Sequence, residues 1–221
     1  LPLATSFRDS YVYDNALYVV AGELIKEVTG KSWEQNIEDK IFKKIGMNQS
    51  ITRISDLMKQ RNIAYPHTRV DGVVVKGENF PDIRMGDVSN AAGGISSNAV
   101  DMAKWLKLQL DSGKYDNGKL FKPATAKRLW TIVTPMPIPR PTALLAPLNF
   151  SYLGYALGFR VHDFRNHQLV THTGGLSGAY YSRVTLVPEL GLGISVLTNQ
   201  ESTDTFEAIT NHLLDYFMGY N

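Results

Sequence analysis

Two short groups of residues carry side chains that could take part in chemistry. The first is Tyr-Asp-Asn at 13–15, before a predicted helix, and the second is His-Thr-Gly-Gly at 172–175, in a predicted strand. A buried strand rarely accommodates an imidazole, and adjacent glycines are poor strand formers. The second group therefore indicates a place that needs a hydrogen-bonding side chain beside uncovered backbone. Because His172 lies 159 positions after Tyr13, only the fold could bring the two groups together.

Hydrophobic periodicity predicts helices in the first part of the chain. The helix after the first group is predicted over 16–28, with its apolar face inward and a stop at Gly30. Its apolar stripe consists of Leu17, Val20, Ala21, Leu24, Ile25 and Val28. Ser32 is predicted to cap a second helix that ends at Gly46, and Ser97 or Asn98 a third that ends near Leu110. Further predictions are a short helix over 123–131 and one small hairpin within 50–90.

Alternating segments after residue 151 predict an antiparallel sheet. Four strands are predicted, at 155–161, 167–172, 179–187 and 191–198, with hairpin-sized connections. A last helix over 203–217 should cover this sheet with Phe206, Ile209, Leu213 and Phe217. Residues 134–148 hold five of the ten prolines and predict an extended crossing.

These elements predict an α+β fold, with a helical and loop region over 1–150 that carries Tyr13. The region over 151–221, an antiparallel sheet plus a C-terminal helix, carries His172. Four strands and one helix leave part of the sheet uncovered, and we expect a segment before residue 1 to cover it.

Composition excludes several classes of function. The formal charge of +2 is too balanced to favour nucleic acid or an anionic membrane surface, and no apolar run reaches the length of a membrane span. The chain has no cysteine, which excludes thiolate catalysis and disulfides. His162 and His167 flank a turn without a ligand pattern typical of metal sites, so we expect no metal and no cofactor.

The motifs resemble the serine β-lactamase-like family, which includes class C β-lactamases, D-alanyl-D-alanine carboxypeptidases and related esterases. The resemblance runs from about Arg8 to Phe217 and implies a partial β-lactamase/transpeptidase-like fold, with both regions in one catalytic domain. The motifs that carry it, in chain order, are Tyr-x-Asn at 13–15, Thr-Gly-x-Ser-Trp at 29–33, Ile-Gly-Met at 45–47, the segment 91–113, His-Thr-Gly-Gly at 172–175 and the segment 183–202.

The resemblance implies acyl transfer by a serine in a Ser-x-x-Lys motif, whose hydroxyl needs an adjacent base. It assigns that base to the motif's lysine together with Tyr13, which would also return the proton to the leaving group. A free phenol has a pKa of about 10, so nearby cations would have to stabilise its phenolate. Asn15 would orient the lysine and hydrogen-bond the substrate amide, whereas Asp14 is expected to face solvent.

The second group would contact the substrate. His172 lies where many relatives have lysine, and it would donate a hydrogen bond to Tyr13 or to the substrate. Thr173 would offer its hydroxyl to a substrate carboxylate or carbonyl. Gly174 and Gly175 would let the substrate backbone approach, and the Gly175 N–H would form half of an oxyanion hole.

No serine in this chain is followed by lysine three positions later. One interpretation is a fragment of a serine acyl hydrolase that acts on a β-lactam, a D-amino-acid peptide or a small ester, with the nucleophile outside this chain. The alternative is an inactive family member that binds peptidoglycan-like ligands or a protein partner. The resemblance implies a periplasmic or secreted location, with a small molecule or peptide as substrate and the missing N-terminal segment as a partner.

Overall fold

The structure is a computed structural model and describes residues 4–7, 9–77, 83–139, 146, 148–176, 180–200 and 202–220. Its α-helices are α1 (Asn15–Thr29), α2 (Trp33–Ile37), α3 (Lys43–Ile45), α4 (Asn90–Gly93), α5 (Ala99–Leu110), α6 (Pro123–Trp130) and α7 (Thr203–Met218). A π-helical turn, Glu38–Phe42, joins α2 to α3, and 3-10 turns lie at Ile54–Lys59, Ile83–Ser89 and Pro188–Leu190. The helices predicted from periodicity are all present, except that the second one is interrupted by the π turn.

Three sheets contain the strands of the described chain. Two are hairpins, β1 (His67–Val70) with β2 (Val73–Lys76), and β3 (Lys114–Tyr115) with β4 (Gly118–Lys119). The third sheet has six strands in the order β10-β9-β8-β7-β6-β5. They are β5 (Thr134–Pro135), β6 (Leu153–Tyr155), β7 (Arg160–Phe164), β8 (His167–Leu176), β9 (Tyr180–Val187) and β10 (Leu192–Thr198).

The observed sheet confirms the α+β class and corrects the number of strands. The segment predicted as one strand over 155–161 is two strands, because the backbone turns between Tyr155 and Arg160, which pair with each other. The start of the proline-rich segment adds β5 at the edge of the sheet, where Thr134 pairs with Tyr155. An edge position tolerates proline, since one side of the strand needs no ladder hydrogen bonds. Residues 140–145 and 147 of that segment lie outside the described residues.

The ends of α1 and α2 follow local sequence signals. Gly30 ends α1 with a left-handed backbone (φ 68°), which glycine adopts at little cost. Ser32 and Gln35 form a capping box at the start of α2, as each side chain bonds the other residue's backbone N–H. Asn98 caps α5 through a bond from the Asp101 N–H (3.0 Å). The predicted stop at Gly30 and the predicted starts at Ser32 and Asn98 are thereby confirmed.

The predicted inward orientation of the α1 stripe is wrong. Leu17, Val20, Leu24 and Val28 are 60%, 61%, 62% and 77% exposed. Gly22 is the buried residue of α1, and a Cβ added there would lie 2.6 Å from the Ala91 Cβ. The helix therefore packs closely on α4 through its glycine side, and its apolar stripe remains exposed.

The buried face of α7 also differs from the prediction. Phe206, Thr210 and Leu214 are buried at a spacing of four residues, whereas Ile209 and Phe217 are 41% and 58% exposed. The Thr210 hydroxyl is satisfied inside the helix, as it donates to the Phe206 carbonyl (2.7 Å). The Phe206 ring stacks on Tyr181 of β9.

The chain divides into two compact units that interleave along the sequence. The first unit comprises Leu1–Tyr13, Leu106–His172 and Val184–Gly193. The second comprises Asp14–Trp105, Thr173–Arg183 and Ile194–Asn221. The core of the first unit consists of buried apolar residues from α5 and the large sheet: Leu106, Ala156, Phe159, Val161, Val170 and Leu186. In the second unit, the fully buried Asn90 side chain ties together two segments, since it accepts from the Ile54 N–H and donates to Glu34.

Candidate active site

Tyr13 and His172 lie close together in the first unit. Their ring centroids are 6.1 Å apart, although 159 positions separate them in the chain. Tyr13 is 42% exposed, so its phenol is accessible from solvent. His172 is half-buried within β8. The predicted proximity of the phenol and the imidazole is observed, and an exposed phenol beside an imidazole is an arrangement that can move protons.

Tyr155, at the end of β6, belongs to the same group. Its hydroxyl lies 3.0 Å from Nε2 of His172, which is hydrogen-bond distance, and its ring is 6.3 Å from that of Tyr13. Tyr11 packs on the other rings, at 5.0 Å from Tyr155 and 6.4 Å from Tyr13. The Tyr11 hydroxyl is buried and finds no hydrogen-bond partner among the described residues. Two phenol rings thus lie beside the imidazole, and the third packs on both of them.

The sequence gives no signal for the contact between Tyr155 and His172. This tyrosine lies in an apolar, glycine-containing stretch and reads as an ordinary strand residue. It reaches His172 only because β6, β7 and β8 are neighbours in the sheet. Strand order is a property of the whole fold, so spacing within the sequence could not reveal this contact.

The other two residues of the first group, Asp14 and Asn15, lie at the start of α1 in the second unit. Asn15 is the first residue of the helix and is exposed. Asp14, not Asn15, provides the N-cap, because its carboxylate accepts the Ala16 N–H at 2.7 Å. Asp14 is half-buried, and its side chain has this structural role at the start of the helix.

Thr173, Gly174 and Gly175 continue β8 in the second unit. Thr173 is half-buried, and both glycines are exposed. A Cβ at Gly174 would lie 2.6 Å from the Ser182 hydroxyl, and one at Gly175 would lie 3.3 Å from the Tyr181 ring. Side chains at these two positions would crowd β9, which gives the glycines a packing reason in addition to the predicted one. Their roles toward a substrate stay a prediction.

In the described part of the chain, no group of three or more histidine, aspartate and glutamate side chains is placed to hold a metal ion. None of its helices is both long enough and apolar enough to cross a membrane.

Comparison with known proteins gives relatives that are named as hydrolases or penicillin-binding proteins. The chain is 24% identical over 211 residues to the unguisins hydrolase ungD of Aspergillus violaceofuscus, covering 93% of this chain and 37% of that protein. It is 23% identical over 209 residues to penicillin-binding protein 4 of Amycolatopsis lactamdurans, covering 94% of this chain and 52% of that protein. The chain thus spans about half or less of the length of these relatives.

A solved structure has the same fold. The octameric penicillin-binding protein homologue from Pyrococcus abyssi superposes with a TM-score of 0.76 at 24% identity, covering 99% of this chain and 45% of that one. A sequence model described as beta-lactamase matches residues 1–216. The match covers nearly the whole chain and agrees with the motifs at 13–15 and 172–175. The chain belongs to the beta-lactamase family.

Proposed function

We propose that this chain forms part of a serine acyl hydrolase that cleaves an amide or an ester through an acyl-enzyme, with a nucleophile supplied from outside the chain. The observation that carries the proposal is the proximity of the Tyr13 and His172 rings, 6.1 Å apart. Each belongs to a motif of the beta-lactamase family, and their meeting in space is what a shared proton-transfer site requires.

In the proposed reaction, a serine oxygen attacks the substrate carbonyl carbon, and the Tyr13 phenolate takes the serine proton. The protonated lysine of the Ser-x-x-Lys motif would stabilise this phenolate. The tetrahedral intermediate collapses as Tyr13 returns this proton to the leaving nitrogen or oxygen, which leaves the acyl group on the serine. Water then attacks the acyl carbonyl carbon and gives a proton to Tyr13, and Tyr13 passes this proton to the serine oxygen as the bond from serine to the acyl group breaks. The Gly175 N–H would stabilise the oxyanion, and Asn15 and Thr173 would hydrogen-bond the substrate.

The exposed stripe on α1 supports a nucleophile from another segment. Four large apolar side chains of this stripe, Leu17, Val20, Leu24 and Val28, are each at least 60% exposed. Contiguous apolar surface of this kind is typical of a face that another element covers. We propose that the covering element belongs to the same hydrolase domain and carries the Ser-x-x-Lys motif, which this chain lacks.

The names of the relatives support a substrate class for this proposal. Their names include a hydrolase of unguisins and a putative D-alanyl-D-alanine carboxypeptidase. We therefore propose an amide, ester or β-lactam carbonyl as the site of attack, in a small molecule or a peptide that contains D-amino acids. The family supports a periplasmic or secreted location, which we propose for this protein.

A fluorescent penicillin and a fluorophosphonate probe test this proposal. The 221-residue chain is compared with an extended protein, defined as this chain with the residues encoded upstream of it. We expect one covalent adduct on the extended protein, on a serine upstream of residue 1, and none on the 221-residue chain. An adduct on a serine of this chain, or no adduct together with no esterase activity, would contradict the proposal.

The second candidate is a binding protein without catalysis, and the absence of any Ser-x-x-Lys in this chain favours it. In that case the upstream sequence lacks the motif too. The extended protein then binds peptidoglycan fragments reversibly, with no change in its intact mass. A Ser-x-x-Lys upstream together with an acyl adduct excludes this alternative.

A further inference from the structure

Tyr155 contacts one of the two ring nitrogens of His172. The Tyr155 hydroxyl lies 3.0 Å from Nε2 of His172, and both side chains are half-buried. Which ring nitrogen of a histidine carries the proton is set by the hydrogen bonds that the ring makes. The phenol is therefore placed to decide the tautomer of His172.

Tyr155 is itself held in place from several sides. Its backbone pairs with Thr134 of β5 and with Arg160 of β7, and its carbonyl accepts the Val133 N–H at 2.8 Å. The Tyr11 ring packs on its ring at 5.0 Å. A side chain fixed in this way presents its hydroxyl at a defined point, which is what orientation of a neighbouring group requires.

We propose that Tyr155 is a positioning residue whose hydroxyl donates a hydrogen bond to Nε2 of His172. With Nε2 as the acceptor, the proton of the neutral ring lies on Nδ1. A neutral ring with its proton on Nε2 would instead have to donate to the phenol oxygen. The bond therefore selects one of the two tautomers of the neutral ring.

The consequence concerns the reaction and rests on the proposed function. The motif resemblance places His172 where family members can carry a lysine, which would bring a full positive charge. A neutral imidazole held by Tyr155 brings a directional hydrogen-bond donor instead. The site is then suited to a substrate group that accepts a hydrogen bond without a negative charge, such as an amide or ester carbonyl.

Tyr11 provides a matched control for Tyr155. Both are tyrosines of the same aromatic group, but the buried Tyr11 hydroxyl has no hydrogen-bond partner among the described residues. Tyr11→Phe removes a phenol oxygen without removing a bond to His172. Tyr155→Phe removes an oxygen and that bond, and leaves the ring packing in place.

The test uses the 221-residue chain labelled with ¹⁵N-histidine, observed by NMR at pH 8, above the ordinary histidine pKa of about 6.5. The spectrum of His172→Gln identifies the resonances of His172 among the five histidines. In the unmodified chain we expect Nε2 at the unprotonated position and Nδ1 at the protonated one. Tyr155→Phe should move the Nε2 resonance toward the protonated position, and Tyr11→Phe should leave it unchanged.

A protonated Nε2 in the unmodified chain would overturn the proposal. A spectrum of Tyr155→Phe identical to that of the unmodified chain would overturn it too. The spectrum of the unmodified chain decides the question even if a variant fails to fold, which far-UV circular dichroism would reveal. The measurement needs no catalysis, so its result is independent of the probe experiment on the serine nucleophile. A correct tautomer with no acyl adduct would retain the positioning role and reject the hydrolase.

Discussion

At the scale of single residues, His172 lies beside two tyrosines. The Tyr13 ring lies beside the imidazole, and the Tyr155 hydroxyl meets Nε2. The sequence placed Tyr13 and His172 in one site because each belongs to a recognisable motif. It could not place Tyr155 there, because its contact depends on the order of strands and not on any spacing of residues.

Asp101 shows a second limit of local patterns. Its position three residues after Asn98 is typical of a capping box, and the backbone half of that box forms. The Asp101 side chain instead accepts bonds from the Gln49 N–H (2.9 Å), the Ser50 hydroxyl (2.9 Å) and Lys104 (2.8 Å). Sequence spacing predicted the helix start correctly and gave no signal of this tertiary network.

The first prediction concerns the pH dependence of stability. Burial raises the pKa of the Asp101 carboxyl, but the hydrogen bonds from Lys104, the Gln49 N–H and Ser50 outweigh it and hold that pKa below 3.8. A carboxyl with a lowered pKa in the folded state contributes stability above its ordinary pKa and loses it as the pH falls. We expect the free energy of unfolding to fall below about pH 4.

Asp101→Asn tests the source of this stability. Its side chain is 2% exposed, so the loss of these bonds should lower the free energy of unfolding at pH 7 by about 1–3 kcal/mol. The decrease below pH 4 should also become shallower. Urea denaturation at several pH values measures both effects. Asp116→Asn is the control, since that side chain is 91% exposed, and an equal effect from both variants would refute the explanation.

At the scale of elements, helix ends were predictable and helix faces were not. Gly30 and Ser32 act through bonds within a few residues, so their roles can be read from the sequence. Which face of a helix is buried depends on its neighbours. Helix α1 packs through Gly22, which has no side chain to contribute to a hydrophobic pattern, and α7 buries Thr210, whose hydroxyl bonds within the helix.

The second prediction concerns the exposed stripe of α1. Leu24→Gln should leave the free energy of unfolding of the 221-residue chain nearly unchanged, because Leu24 is 62% exposed. In the extended protein the same change should lower it by about 1.5–3 kcal/mol, the scale for burial of a leucine side chain. Urea denaturation of both proteins makes the comparison. Lys26→Gln is the control on the same helix, and a small effect of Leu24→Gln in both proteins would contradict a covered stripe.

At the scale of the whole molecule, two separate regions of sequence come together at Tyr13 and His172. The fold class and family could be predicted because several motifs occur in the order typical of the family, and each alone would be weak evidence. The strands β5 and β6, of two and three residues, are too short for an alternation pattern and could not be predicted. Sheet order, and with it the aromatic group around His172, is therefore visible only in three dimensions.

The measurement that tests the account most directly is the rate of acylation of the extended protein by a fluorescent penicillin or fluorophosphonate. Tyr13→Phe should slow this rate by about 10²–10⁴-fold, the usual contribution of a general base. Tyr11→Phe, which removes a phenol 6.4 Å away, should leave the rate close to that of the unmodified protein. Equal rates for Tyr13→Phe and Tyr11→Phe would contradict the claim that Tyr13 and His172 form the proton-transfer site.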